Sequence, residues 1–536
     1  MIFKEIVMEF IKTNKQLILT YVSISSMIQI IKVIILSSQY SELMKNIDMF
    51  NEKIKNVMFI WVALSILYIG KLKLESEIYS DLLFFTRNIL YKKYIIHNYY
   101  NFNDTNTVTD VNKIIDASKL LRDIFYLIFQ TFIPTFILII GMNIYFSIKF
   151  SKIGVINIVS NIFNYIIIDY YGNNIYNTVD IRQNKLSNIV NKLYENFNNL
   201  MDIFLNGKYD DAITQYTLLE KDYMSMHKNE FNNINKFVSL LKINNYIFSF
   251  ISIYTFYKYY SKEDMINGLL IFTFYISNFQ ELSEDIPRLF SMLGTLRSIE
   301  NKLKDKLSYN NIIDKGSVPI IRGNINFQDL VFSYNNTTNI INNFNFNINI
   351  GERIAIISES GSGKSTIMKL LLKFYKPNKG KILLDGNNIN DINTDHLRKN
   401  INYINQKTIL FNDTIINNMK YGSERSDTEI INLLKKYDLL SLFNDNIELK
   451  KIVNMGGTNI SMGIQKLIFL VRGILKNNSM IYIFDEPLTS LDQSTRKKVM
   501  KMISSEVGNK TLLIITHDME IKEIVNKTIN LKDLMK

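Results

Sequence analysis

The chain has 536 residues and no cysteine, so a disulfide framework, a thiolate-bound zinc or iron–sulfur centre and a cysteine nucleophile are all excluded. A secreted protein stapled by disulfides is excluded with them. Charge is scarce too, at 21% of residues against 47% hydrophobic, which rules out a largely disordered chain. The opening MIFKEIVMEFIKTNK lacks the small-residue cleavage site of a secretory signal, and Glu5 and Glu9 do not suit an acid-poor transit peptide. The first apolar segment is therefore expected to be retained. An excess of one sign of charge is modest, 62 Lys and Arg against 50 Asp and Glu. The resulting +12 is scattered along the chain and selects neither nucleic acid nor a membrane surface.

What is present divides the chain. Its length predicts roughly three or four domain-sized units. The mean hydropathy of +0.02 averages an apolar amino-terminal half with a polar carboxy-terminal half. Asn, Ile, Lys and Tyr are over-used throughout, and we read this as coding bias rather than functional low complexity.

Leu17 to Leu36 (LILTYVSISSMIQIIKVIIL) is long enough to cross a hydrocarbon layer of roughly 30 Å as a helix, with Lys32 its only charge. Further apolar segments lie at 56–70, 124–148, 153–171, 243–260 and 266–280, which makes six candidate spans. The second and sixth are short, and the fourth carries Asn157, Asn161, Asn164 and Asp169, features that also suit buried helices of a soluble bundle. The connections after spans 2 and 4 are long, charged and rich in helix formers, so the helices are expected to extend beyond the bilayer on one side. Lys32 and Asp169 lie near span ends, where snorkelling to the interface is the simplest reading. Lys and Arg are too evenly distributed between the two sides to fix orientation.

Beyond residue 305 the pattern changes to short strands, turns and amphipathic helices. The expected division is a membrane domain at 1–304, a polar linker at 305–320 and a second domain at 321–536. In ERIAIISESGSGKSTIMKLLLKFY a strand at Arg353–Ile357 runs into a Gly-rich turn and then a helix opening at Lys364. This is the arrangement of a P-loop, although Ser358 stands where the usual pattern begins with Gly. Gly361 and Gly363 let backbone N–H groups face phosphates, Lys364 supplies charge, and Ser365 can ligate Mg2+. Ser362 and Thr366 complete the nucleotide-binding set with Ser358. An ordinary Gly/Ser turn does not account for Lys-Ser-Thr at the start of the helix. Downstream, MIYIFDEP ends an apolar strand on Asp485, placed to hold the metal, and Glu486, placed to polarise an attacking water. Without the P-loop this pair would read as a plain strand-to-loop transition.

These segments resemble the ATP-binding cassette (ABC) superfamily, and specifically its exporter-type half-transporters, with six spans followed by one nucleotide domain. The resemblance covers nearly the whole chain. It implies an all-α polytopic membrane domain of six transmembrane helices followed by an α/β P-loop NTPase domain of the ABC type. Further matching positions are Tyr334 in VFSY, Gln406 in INQKTILFNDTI, Ser461 and Gly463 in ISMGIQKLIFLVRG, Asp492 in TSLD and His517 in ITHD. The resemblance implies that Tyr334 stacks on adenine and that Gln406 senses Mg2+ and the membrane domain. It also implies that Ser461 and Gly463 contact the γ-phosphate held by the other subunit, that Asp492 communicates between sites, and that His517 contacts the γ-phosphate. Taken singly, each of these residues is more simply a packing or solvated residue. Their order along the chain, with no member missing, removes that objection.

The resemblance further implies an ATPase, with ATP and Mg2+ as ligands, working as a homodimer or heterodimer with a second half-transporter in a lipid bilayer. The nucleotide domain would face the cytosolic, ATP-containing side, and nucleic acid has no part. Short helices pressing on the nucleotide domain are expected near Phe102–Asp110 and Ile203–Ala212. The LFNDTI after Gln406 resembles the version in exporters tied to mitochondrial iron–sulfur metabolism and heavy-metal tolerance, but the cargo itself is not readable. The main departure is the signature, where Ile460-Ser461-Met462-Gly463-Ile464 replaces LSGGQ and Met462 crowds a position normally Gly. This predicts either a partner with an intact signature or a homodimer of reduced turnover. The rival readings are a membrane-anchored regulatory half with weak or no ATPase activity, and a soluble ABC ATPase acting on nucleic acid.

Overall fold

Apolar residues three and four positions apart put Phe3, Ile6 and Phe10 on one buried face of α1 (Ile2–Thr13). The computed structural model describes residues 2–45, 50–100, 107–307, 318–320, 322–334, 338–357, 363–406, 409–476 and 479–534. Two units emerge, Met1–His97 with Asp104–Tyr309, and Asn98–Asn103 with Asn310–Lys536.

The first unit is helical. After α1 come α2 (Lys15–Ile30), α3 (Ser37–Lys45), α4 (Phe50–Tyr100), α5 (Thr107–Tyr126) and α6 (Ile133–Lys149). Then follow α7 (Ser151–Asn198), α8 (Leu200–Leu205), α9 (Tyr209–Tyr259) and α10 (Lys262–Leu307). Six-residue π-helical turns, Ile31–Leu36 and Leu127–Phe132, join α2 to α3 and α5 to α6. Helices α4 and α9 have 51 residues each. At roughly 1.5 Å per residue that is about 77 Å, more than twice a hydrocarbon core of about 30 Å.

Among the described residues five helical stretches are long and apolar enough to cross a membrane: Lys15–Leu43, Ile54–Tyr99, Thr109–Lys149, Ser151–Asn198 and Tyr209–Tyr259. The sixth expected span lies on α10 and is not among them. Its apolar stretch lies between Asp264 and Glu281, and about 16 residues rise only about 24 Å. Much of α10 is instead buried against neighbouring helices, Ile271, Phe272, Tyr275 and Phe279 included.

The asparagines of the fourth segment have a simple placement. Asn157 and Asn164 are buried, while Ile158, Ile162, Phe163 and Ile166 face outward. Asn164 Nδ2 donates to Asn245 Oδ1 at 3.0 Å, and Asn244 Nδ2 donates to Asn164 Oδ1 at 2.9 Å. Amide bonds thus pin α7 to α9 while the outer surface stays apolar. Lys32 and Asp169 are exposed on their helices.

The second unit contains two sheets. One is antiparallel, in the order β2-β1-β4-β5, from β1 (Ile325–Phe332), β2 (Ile341–Ile348), β4 (Lys379–Leu384) and β5 (Asn387–Asn388). The other has the order β6-β7-β8-β3-β9, from β3 (Arg353–Ile357), β6 (Ile401–Ile404), β7 (Ile481–Asp485), β8 (Thr511–Thr516) and β9 (Lys527–Asn530). All neighbours in it are parallel. Every residue of β7 and β8 is buried, as continuous apolar runs covered on both faces require. Helices α11 (Lys364–Leu371), α12 (Thr394–Asn400), α13 (Ile415–Lys420), α14 (Asp427–Lys436), α15 (Met462–Leu475) and α16 (Gln493–Val507) complete the unit. The sequence-based linker at 305–320 covers the last turn of α10, which ends at Leu307, and positions mostly outside the described residues.

Candidate functional site

In a parallel sheet all strands end on the same edge, and ligands bind there. The register pairs Ile357 with Thr516, Asp485 with Ile515, and Ile404 with Phe484. The carboxy-terminal ends of β3, β6, β7 and β8 therefore lie along one edge of the sheet. The segments that follow them carry Lys364, Gln406, Glu486 and His517.

Of the phosphate loop, Ser358, Gly361 and Ser362 lie outside the described residues. Gly363 caps the amino terminus of α11 with φ 87°, a left-handed conformation that L side chains resist. A Cβ there would also press on Ile340 at 3.3 Å. Lys364 and Ser365 open the helix, where the helix end adds partial positive charge. Thr366 is buried, and its Oγ1 lies 3.1 Å from the Tyr334 hydroxyl. Tyr334 is exposed on one side and meets Tyr375 edge-on, ring centroids 5.1 Å apart. A Tyr face fixed beside the loop helix can receive a flat base.

The acidic pair is tightly built. Glu486 has φ 49°, and its backbone N–H donates to the Ile515 carbonyl at 2.8 Å. The residue is only 6% exposed. Thr516 Oγ1 donates to Glu486 Oε2 at 3.1 Å, and His517 Nδ1 is 2.9 Å from Glu486 Oε1. His517 itself is 71% exposed on its side chain, so it stands between the carboxylate and solvent. The Tyr403 hydroxyl donates to Asp485 Oδ2 at 3.2 Å. Burial raises the Asp485 pKa, against the Tyr403 hydrogen bond and the nearby Lys466 and Lys364 charges. Burial and the Asp485 charge also push Tyr403 well above the ordinary phenol. Gln406 is exposed two residues beyond β6.

Ser461 is the amino-terminal cap of α15, its Oγ accepting from Ile464 N–H at 3.3 Å. Met462 is 70% exposed, and a Cβ on Gly463 would lie 2.9 Å from the Ser490 carbonyl. Ser461 and Gly463 are therefore held at the start of α15, a helix separate from α11. Asp492 caps α16, accepting from the N–H groups of Ser494 and Thr495 and from both their hydroxyls. Those bonds hold its carboxyl far below the usual range, the Thr495 hydroxyl first among them.

Of the two expected docking segments, residues 101–106 lie outside the described residues. Tyr99, just before them and grouped with the second unit, bonds through its hydroxyl to Asp395. Its ring centroid is 4.4 Å from the Arg398 guanidinium. Ile203–Ala212 spans the end of α8, a turn through Gly207 at φ 62° and the start of α9.

Three site residues escape motif reading. Tyr403 is the penultimate residue of β6 and Thr516 the last of β8, and only the parallel register brings them to the acidic pair. Lys466 carried a fainter signal, a charge directly before the apolar run Leu467, Ile468, Phe469, Leu470 and Val471.

Residues 341–489 match the family model described as ABC transporter. The chain is 41% identical over 199 residues to "ABC transporter ATM1" of Plasmodium falciparum, covering 37% of this chain and 19% of that protein. It is 34% identical over 249 residues to "Iron-sulfur clusters transporter ATM1, mitochondrial" of Debaryomyces hansenii, covering 45% and 35%. Against "ATP-dependent lipid A-core flippase" of Blochmanniella floridana it is 38% identical over 211 residues, covering 38% and 36%. The matches thus span little more than a third of these curated relatives at most. A solved structure, "Structure of a bacterial Atm1-family ABC exporter with ATP bound", superposes with a TM-score of 0.80 at 17% identity, covering 97% of this chain and 93% of that one. Residues 341–489 thus match the ABC transporter model, and the chain shares the fold of that solved structure.

Proposed function

We propose that the chain is one half of a dimeric ATP-driven exporter, in which ATP binding and hydrolysis switch the membrane helices between inward and outward access. The observation that carries this reading is the Glu486 carboxylate, held on both oxygens by Thr516 and His517 at the sheet edge where β3 also ends. In this reading Glu486 takes a proton from the attacking water, and Thr516 and His517 keep its carboxylate aimed. Lys364 and the α11 amino terminus bind phosphate oxygens, and Tyr334 receives the adenine. Ser461 and Gly463 serve the nucleotide of the opposite subunit, and Asp492 lies in the loop between the two sites.

Among the described residues no three His, Asp or Glu side chains gather into a metal site. Mg2+ carried with a nucleotide needs only one or two protein ligands plus substrate phosphates. Ser365, Gln406 and Asp485 are the residues that would hold it. Bound there, the ion would supply positive charge to offset that of the nucleotide phosphates. The nucleotide domain would lie on the cytosolic side, with the membrane unit at 1–304 and the junction at 305–320 leading to 321–536.

A second reading is favoured by one observation. The exposed Met462 occupies the signature surface, which suits a regulatory half with weak or no hydrolysis paired to a different subunit. ATPase measurement on reconstituted protein, alone and as Glu486→Gln, separates the two. A wild-type rate no higher than that of the variant would remove the homodimeric ATPase reading.

A further inference from the structure

Helix α15 does more than present Ser461. One turn past Gly463, Lys466 lies on the same side of the helix and is only 6% exposed. Its Nζ donates to the main-chain carbonyl of Asp485 at 3.2 Å. A buried ammonium is costly unless it is paired, and here the acceptor is the carbonyl directly before Glu486. Burial lowers the Lys466 pKa to about 8, against the opposing charges of Asp485 and Glu486.

The same helix also meets the far end of this turn. Gly463 packs so closely on the Ser490 carbonyl that a Cβ would lie 2.9 Å from it. Between these two contacts the chain passes through Glu486 at φ 49° and Ser490 at φ 65°, both left-handed and both disfavoured for these residue types. Within the turn, Thr489 Oγ1 donates to the Glu486 carbonyl at 2.9 Å. One helix therefore grips the segment Asp485–Ser490 at both ends. A small shift of α15 along its axis moves the peptide that aims the Glu486 carboxylate.

We propose that Lys466 is a positioning residue that links the two half-sites within one subunit. What binds against Ser461 and Gly463 at the α15 amino terminus is transmitted through Lys466 to the Glu486 turn of the same chain. The inference rests on the proposed assignment of Ser461 and Gly463 to the opposite subunit's nucleotide. It adds a link that none of the signature, acidic-pair or Asp492 assignments contains.

The test uses the full chain in lipid nanodiscs, as wild type, Lys466→Met and Lys466→Arg. Met keeps the stem and removes the donor, whereas Arg keeps a cationic donor. Two readouts are taken: the kcat and KM of ATP hydrolysis, and amide exchange over residues 481–490 with and without MgATP. Lys466→Met is expected to lower kcat about tenfold with KM changed less than twofold. It is also expected to abolish the nucleotide-dependent protection of 481–490, with both properties kept by Lys466→Arg. Wild-type turnover and protection in Lys466→Met would overturn the proposal, as would equal losses in Lys466→Arg. If wild type and Glu486→Gln hydrolyse ATP equally, the ATPase reading fails. The exchange readout then still decides the link, since protection that persists in Lys466→Met overturns it.

Discussion

Nδ1 of the exposed His517 lies 2.9 Å from Oε1 of the buried Glu486. The preceding residue, Thr516, holds the other carboxylate oxygen at 3.1 Å. Two consecutive residues at the end of β8 thus orient a side chain that begins just after β7. The parallel register, Asp485 opposite Ile515, makes this possible.

Removing the carboxylate should therefore abolish turnover and spare binding. Glu486→Gln is expected to lower kcat by at least about 10²-fold, the lower end of general-base contributions. ATP affinity, measured by equilibrium binding, should stay within about twofold of wild type. Thr516→Val leaves Glu486 Oε2 without its hydroxyl donor and should lower kcat by roughly tenfold, about 1.4 kcal/mol. Unchanged kcat in both variants would refute the role given to Glu486.

Tyr334 presents an aromatic face beside α11, and its hydroxyl touches Thr366. Tyr334→Ala should raise the KM for ATP about tenfold, consistent with aromatic stacking worth about 0.5–1.5 kcal/mol. Tyr334→Phe should leave KM nearly unchanged, because the ring remains and only the hydroxyl is lost. A large effect in Phe and none in Ala would reverse the assignment.

Met462 stands exposed at the start of α15, where the resemblance expects Gly. If the chain hydrolyses ATP as a homodimer, Met462→Gly should raise kcat several-fold by letting backbone approach phosphate. In a heterodimer the gain should appear only at the site completed by this signature. ATPase assays on the purified chain and on the co-purified pair distinguish these outcomes.

Glu506 accepts from the Tyr437 hydroxyl at 2.6 Å and from Lys436 Nζ at 2.7 Å. Burial would raise its pKa, but these two partners outweigh it and the net shift is downward. A carboxylate lowered in the folded state contributes stability above its unfolded pKa of about 4.3 and loses it as pH falls through the folded value. Glu506→Gln should therefore cost about 1 kcal/mol at pH 7, allowing for the exposure of Lys436. The cost should shrink below about pH 4. Denaturant titrations of the two proteins at pH 7 and below pH 4 measure both.

Much of the site was legible because its parts are local. A strand, a Gly-rich turn and Lys364 at a helix start lie within one short stretch, and Asp485 with Glu486 are adjacent in the chain. The partners of the acidic pair were not legible, since Tyr403 and Lys466, which bond to Asp485, and Thr516, which bonds to Glu486, approach from β6, α15 and β8. The left-handed turn at Glu486 and Ser490 also has no Gly to mark it. In the helical unit, the role of the asparagines of the fourth segment was not legible, because the pairing of Asn164 with Asn245 depends on how α7 and α9 are rotated against each other.

By itself, the sequence determined the order of the two units, the strand and helix that bear the phosphate loop, and the chemistry of the acidic pair. Each depends on neighbours in the chain. Only the tertiary structure decided that Asn164 and Asn245 face one another across two helices, that His517 guards Glu486, and that Lys466 grips the carbonyl before it. Such contacts depend on helix rotation and strand register, which arise when distant segments pack and which periodicity within one segment does not specify.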